Sequence, residues 1–146
     1  MKKLVFILMA VFAVTGCSED DDALNVTYEL AEIVANDLPE EFEFGEVYEV
    51  TVTYVLESRC HQFIGLDAQR GNAVGEDRRQ IYVAAISILD QDAACDTSIG
   101  GEQGTAKFSI TIDEEEEYTF NFLVGESNNE PVYQTVVVPV VDPESN

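Results

Sequence analysis

Three kinds of side chain in this sequence could carry chemistry: the cysteines Cys17, Cys60 and Cys95, the single histidine His61, and a dense population of carboxylates, 29 Asp and Glu against 7 Lys and Arg. Cys60 and His61 are adjacent, and a thiol beside an imidazole is the raw material of a nucleophile with its base. Neighbours in an extended chain point to opposite sides, however, so the two are poorly placed to share a proton. His61 therefore reads as a loop or surface residue, and one histidine with two cysteines falls short of a zinc ligand set. Asp90, Asp92 and Asp96 alternate in DQDAACD, and hard carboxylate oxygens suit calcium. The twelve-residue calcium loop needs glycine at its sixth place and glutamate at its twelfth; counted from Asp90, these hold Cys95 and Gly101, which leaves only a weak calcium candidate of another geometry. Paired carboxylates could hydrolyse a glycoside, but with so many acids a pair carries no specificity. G-x-S-x-G, a phosphate-binding glycine loop and H-E-x-x-H do not occur in the sequence. The reading assigns no catalytic residue and no cofactor, and classes the chain as a non-enzyme.

Arg70, Arg78 and Arg79 stand out for the opposite reason, as cations gathered within a strongly acidic chain. They form either a binding patch for an acidic partner or a glycan carboxylate, or a set of ion pairs with the nearby Asp67, Glu76 and Asp77. The acidic run at residues 113–117 (DEEEE) reads as a solvated hairpin tip whose charge discourages edge-to-edge association.

The start of the chain has a different character. Met1, Lys2 and Lys3 precede eleven uncharged, almost wholly apolar residues, 4–14 (LVFILMAVFAV), in the pattern of a secretory signal. A bilayer core of about 30 Å takes roughly 20 apolar residues to span as a helix, so this segment is expected to be cleaved rather than retained. Val14-Thr15-Gly16-Cys17 resembles the lipobox of bacterial lipoproteins, and the resemblance implies that Cys17 becomes the acylated mature N-terminus. A single acyl chain contributes about 0.8 kcal/mol per buried CH₂ and holds only marginally, whereas two or three would hold Cys17 at the membrane.

Removing residues 1–16 takes away two basic residues and no acids, so the exported chain is more acidic than the formal −22 of the whole. Such a surface repels nucleic acid and anionic lipid headgroups. Acidity alone could mean disorder, but six tyrosines and eight phenylalanines, with many valines and isoleucines, supply a core. The charge then serves solubility, or a saline habitat.

Residues 18–23 are polar and aperiodic, a tether. Beyond them lie runs with the period-two alternation of half-buried strands. Residues 25–34 start in phase with Val26, Tyr28 and Leu30 on one face and lose it near Ala31, where a bulge would fit. Residues 47–56 (VYEVTVTYVL) are the clearest strand. Residues 81–89 (IYVAAISIL) suit a central strand or a buried helix segment. Residues 107–112 and 118–124 alternate cleanly, and 132–140 contain Pro139, which lacks an N–H donor and belongs near a sheet edge. Residues 60–80, interrupted by Gly65, Gly71 and Gly75, read as a long irregular connection, a place where function often resides. The expected fold is an all-β, immunoglobulin-like antiparallel sandwich of about six to seven strands. The expected organisation is a signal peptide over 1–16, a lipidated acidic tether over 17–24 and one sandwich domain over 25–142.

With Cys17 assigned to lipid, Cys60 and Cys95 remain, in an exported protein where disulfides persist. A bridge between them closes a loop of about 36 residues and contributes roughly 3.5–4 kcal/mol by chain entropy.

The stretches YVLESRCHQFIGLDAQRGN, RRQIYVAAISILDQDAACDT and YTFNFLVGESNNEPVYQTVVVPV resemble a group of small lipoproteins of Bacteroidota, marine flavobacteria in particular, over residues of about 45 to 140. The resemblance implies a signal-anchored sandwich domain and no particular activity. The acidic residues 18–22 (SEDDD) are similar to the signal that sends lipoproteins of these bacteria to the outer face of the outer membrane. The resulting expectation is a surface-exposed, lipid-anchored domain held to the membrane by its lipid, with a protein or glycan partner. A small hydrolase acting on polysaccharide or peptidoglycan through loop carboxylates stands as the alternative.

Overall fold

A computed structural model describes residues 25–71 and 76–142, with Glu76 described in its backbone only. The segments read as signal, lipidation site and tether lie outside the described residues. The chain forms β1 (Val26–Asn36), β2 (Phe42–Glu43), β3 (Val47–Val55), β4 (His61–Arg70), a 3₁₀ turn (Glu76–Arg79), β5 (Gln80–Asp90), β6 (Gln103–Thr111), β7 (Tyr118–Ser127), β8 (Glu130–Val138) and β9 (Val140–Val141). The all-β sandwich expected from the alternation is what forms. Seven strands are joined in the order β6-β3-β1-β5-β7-β8, with β4 added on β5, and β2 and β9 make a small second sheet.

Strand β5 organises this arrangement. Along its whole length one edge pairs with β4; the other is divided, Gln80 to Val83 pairing with β7 and Ala85 to Asp90 with β1. Because β7 occupies the rest of that edge, β1 leaves at Ala31 and pairs from Glu32 onward with β3. The lost phase near Ala31 thus marks a change of partner, and a register shift follows between Ile33 and Ala35. One layer consists of β4, β5, β7, β8 and the first half of β1, the other of β6, β3 and its second half. The β5–β7 and β2–β9 pairs are parallel, so the sheet is mixed where a purely antiparallel one was expected.

The core lies between the layers. Ile33, Val50, Val52, Ile110 and Ile112 from one side meet Ile81, Val83, Phe120 and Phe122 from the other, all buried. Phe42 packs on Tyr48, Tyr118 and Phe120, and Tyr54 stacks on Phe63 at 4.1 Å, tying β3 to β4 across the gap. A Cβ on Gly104 would sit 2.4 Å from the Tyr54 hydroxyl, so only glycine fits beneath that ring. Asn128 and Asn129, both with positive φ (54° and 63°), make the tight β7–β8 hairpin turn whose twist matches its strands.

The expected irregular connection over residues 60–80 is mostly strand. Strand β4 hid because the bulge between Phe63 and Gly65 flips its alternation: His61 and Phe63 face inward before it, and Leu66, paired with the inward Ala85, faces inward after it. The long irregular connection is instead the stretch between β5 and β6, and β8 ends the main sheet as an edge strand beside Pro139.

The Cys60–Cys95 disulfide is formed, with Cα atoms 5.8 Å apart, and fastens that β5–β6 connection to the start of β4. Cys60→Ala and Cys95→Ala are each expected to lower unfolding free energy by about 3–4 kcal/mol, with the double variant no worse than either single one. Urea denaturation of the three variants checks this; additive losses would show two independent contributions.

Candidate functional site

The three arginines gather on the acidic run at residues 113–117. Arg70, at the end of β4, places Nη1 2.8 Å from Asp113 Oδ1; Arg78 bonds Asp113 Oδ2 and reaches Glu114 at 3.4 Å; Arg79 pairs with Glu116 at 2.5 Å and donates to the Glu117 carbonyl at 3.1 Å. The run at 113–117 is therefore not a hairpin tip. It carries the chain from β6 in one layer to β7 in the other, and the arginines fasten it. The buried Tyr118 completes the fastening: its hydroxyl accepts the N–H groups of Asp113 and Glu114 and donates to Asp113 Oδ1 at 2.9 Å, while the Arg70 guanidinium lies 5.5 Å from its ring centre.

Partial burial would raise the Asp113 pKa, but the Tyr118 hydroxyl and the Arg70 and Arg78 guanidiniums outweigh it and hold the carboxyl at about 2. Burial likewise works against the Arg70 charge, and Asp113 outweighs it, so the Arg70 pKa is raised; burial is the main cause of the raised Tyr118 pKa. The three arginines are thus engaged in joining the layers.

The calcium candidates do not converge. Asp90 accepts the Asp92 N–H at 2.9 Å, Asp92 accepts from the Asn25 amide at 3.4 Å, and Asp96 accepts the Ser98 N–H and hydroxyl, which lower its pKa. Asp90 and Asp96 bond within their own turns, and Asp92 reaches across to Asn25.

His61 is not a surface residue: it is 6% exposed, at the first position of β4. Its Nδ1 accepts the Ser58 backbone N–H at 3.1 Å, which places the ring proton on Nε2, 2.7 Å from Glu29 Oε2. The Ser58 hydroxyl lies 2.8 Å from the same Nδ1 and accepts the Cys60 N–H at 3.3 Å. Serine, histidine and glutamate in a row have the composition of a hydrolase relay, but Ser58 is 1% exposed, and a substrate carbonyl has no approach to it. Glu57 joins Glu29 and His61 with ligand atoms within 4.8 Å of one another, the only such trio among the described residues. A metal on Nε2 would need the ring proton on Nδ1, directly facing the Ser58 N–H. The ring is therefore set to brace the Ser58–His61 turn beside the disulfide. Sequence reasoning missed this role because it depends on Glu29 of β1 arriving from 32 residues away.

Two grooves stand out among the described residues. One, of about 710 Å³, lies in the fork where β1 diverges from β7, with Tyr28, Leu30, Val55 and Val124 between Glu29, Glu32, Glu57 and Glu126. The other, of about 590 Å³, crosses the outward face of β4, β5 and β8 and is lined by Asp67, Gln69, Gln80, Tyr82 and Tyr133, with Arg70 and Asp77 at one end.

The second groove has the more organised chemistry. Tyr82 is paired in register with Gln69 on one side and Asn121 on the other, all projecting outward by the strand alternation. The Asn121 amide donates to Gln80 Oε1 at 3.0 Å and accepts from Thr135 Oγ1 at 3.0 Å, a polar ladder over three strands. The Gln69 amide donates to both oxygens of Asp67, at 2.8 and 2.9 Å. The rings of Tyr82 and Tyr133, 43% and 41% exposed, meet edge to face at 5.8 Å and 75°. Two large rings are thus held half-exposed beside fixed amides and a carboxylate. Of this groove the sequence reading named Arg70, as part of a cationic cluster, and Asp67 and Asp77, as its nearby acids; Gln69, Gln80, Tyr82 and Tyr133 went unremarked, because residues of β4, β5 and β8 meet only through pairing. No protein-family model matches the chain, and no curated protein or solved structure shows significant similarity to it.

Asp113→Asn is expected to cost roughly 1–2 kcal/mol at neutral pH by releasing Arg70, Arg78 and Tyr118. Since the folded carboxyl sits at about 2, below its ordinary 3.8, its contribution is complete above about 3.8 and is lost as pH falls toward 2. The gap in melting temperature between wild type and variant should therefore be widest near neutral pH and close on acidification, as a pH series of thermal melts would show.

Proposed function

We propose that the protein is a lipid-anchored envelope or cell-surface module that binds a partner through the outward face of β4, β5 and β8 and performs no reaction of its own. The observation that carries this reading is the groove in which Tyr82 and Tyr133 stand half-exposed among oriented amides. Rigid strands hold it, and the disulfide secures the neighbouring connection. The anchor rests on Cys17 in its lipobox-like VTGC context after the apolar residues 4–14, and the acidic residues 18–22 serve as tether and outer-face export signal. The resemblance to flavobacterial lipoproteins agrees with both. No helix among the described residues is long and apolar enough to cross a membrane. A high net negative charge keeps such a domain clear of anionic headgroups.

A hydrolase acting on polysaccharide or peptidoglycan is the second reading, favoured by Glu29 and Glu57, which converge in the fork groove. It requires turnover that Glu57→Gln abolishes.

Cys17→Ser should abolish incorporation of a clickable palmitate analogue and release the protein from the membrane fraction; persistent labelling would place the anchor elsewhere. Immobilised full-length Cys17→Ser protein should retain an envelope component or an extracellular polymer, and lose it in the Tyr82→Ala, Tyr133→Ala double variant. Retention that is indifferent to those two rings would rule out the face.

A further inference from the structure

The chemistry of the outward groove points further, and we infer that its ligand is an uncharged oligosaccharide. This rests on the reading of that face as the binding surface. A pyranose ring presents two kinds of surface: a patch of C–H groups, which packs on an aromatic ring, and a girdle of hydroxyls, each both a donor and an acceptor. The groove matches both. Tyr82 and Tyr133, perpendicular at 5.8 Å, form an apolar corner with one ring as floor and the other as wall. Around it, Asp67 offers a carboxylate held in place by the Gln69 amide, and Gln80, whose carbonyl accepts from Asn121, retains its NH₂ as donor.

Other ligand classes fit less well. An anionic glycan would need a free cation, but the Arg70 guanidinium at the groove end is engaged by Asp113 and by the Thr111 carbonyl, and Asp67 and Asp77 also line the site. A cationic group would use the rings and the carboxylates but would leave the Gln80 donors facing a charge of their own sign. The volume, about 590 Å³, lies within the range of roughly 300–1,000 Å³ typical of small-ligand sites. The floor of the groove is β-sheet, so binding needs little reordering and wastes little of the contact energy.

The test uses full-length Cys17→Ser protein on an array of neutral hexose and pentose oligosaccharides, with uronic-acid-bearing and sulfated glycans and cationic peptides beside them. Calorimetry then follows on any neutral probe retained. The expected result is binding of at least one neutral oligosaccharide, weakened about tenfold or more by Tyr82→Ala and by Tyr133→Ala. Tyr82→Phe and Tyr133→Phe, which keep the rings, should bind within a few-fold of wild type. Both tyrosines are half-exposed, so unchanged melting temperatures should accompany these losses. Binding confined to charged probes overturns the inference. If no neutral glycan binds, but an envelope protein is retained and then lost with Tyr82→Ala, the sugar is overturned and the binding face stands. Neutral-glycan binding that both alanine variants leave unchanged overturns the sugar site and the face together.

Discussion

At Ala31, β1 stops pairing with β5 and begins pairing with β3, and the architecture follows from that exchange. A strand has two hydrogen-bonding edges, and β5 gives one wholly to β4 and divides the other between β1 and β7. β1 cannot continue along an edge already taken, so its backbone groups find partners in the opposite layer. The two layers are thereby one continuous hydrogen-bonded sheet folded over a single core. The fork left between β1 and β7 is the origin of the acidic groove.

Continuity at one end leaves the opposite end to be closed by side chains. There β6 passes into β7 through five consecutive acids, which would repel one another if left alone. Arg70, Arg78 and Arg79 approach from β4 and the 3₁₀ turn, and Tyr118 satisfies the turn's N–H groups from below. Near the other end of β4, the disulfide and the Ser58–His61–Glu29 hydrogen bonds hold the Ser58–His61 turn and the connection after β5. Strand β4, whose sequence alternates least regularly, is thus fastened at both ends. The same strand supplies Asp67 and Gln69 to the outward groove.

The outward groove combines aromatic rings with amides. They are on paired strands, and hydrogen bonds from Gln80 through Asn121 to Thr135 fix the amide orientations. The buried histidine and serine, which have the right chemical types for a reaction, are shielded from solvent and engaged in turn geometry.

Alternation of apolar and polar residues determined most of the fold by itself, since a strand with one face buried must repeat every second residue: residues 47–56, 107–112 and 118–124 were legible for that reason, as was the all-β class. The cysteine pair was legible because two cysteines remained once a lipobox-like motif had claimed the third. Only the tertiary structure decided what depends on which strand lies beside which. It turned a glycine-interrupted stretch into β4, because a bulge reverses alternation without ending pairing. It brought the arginines onto acids 35 to 43 residues away, because sequence distance says nothing about distance across a sandwich. It also set Tyr82 against Tyr133, two unremarked tyrosines on β5 and β8, because a shared face comes from register, and register is a property of paired strands rather than of either strand alone.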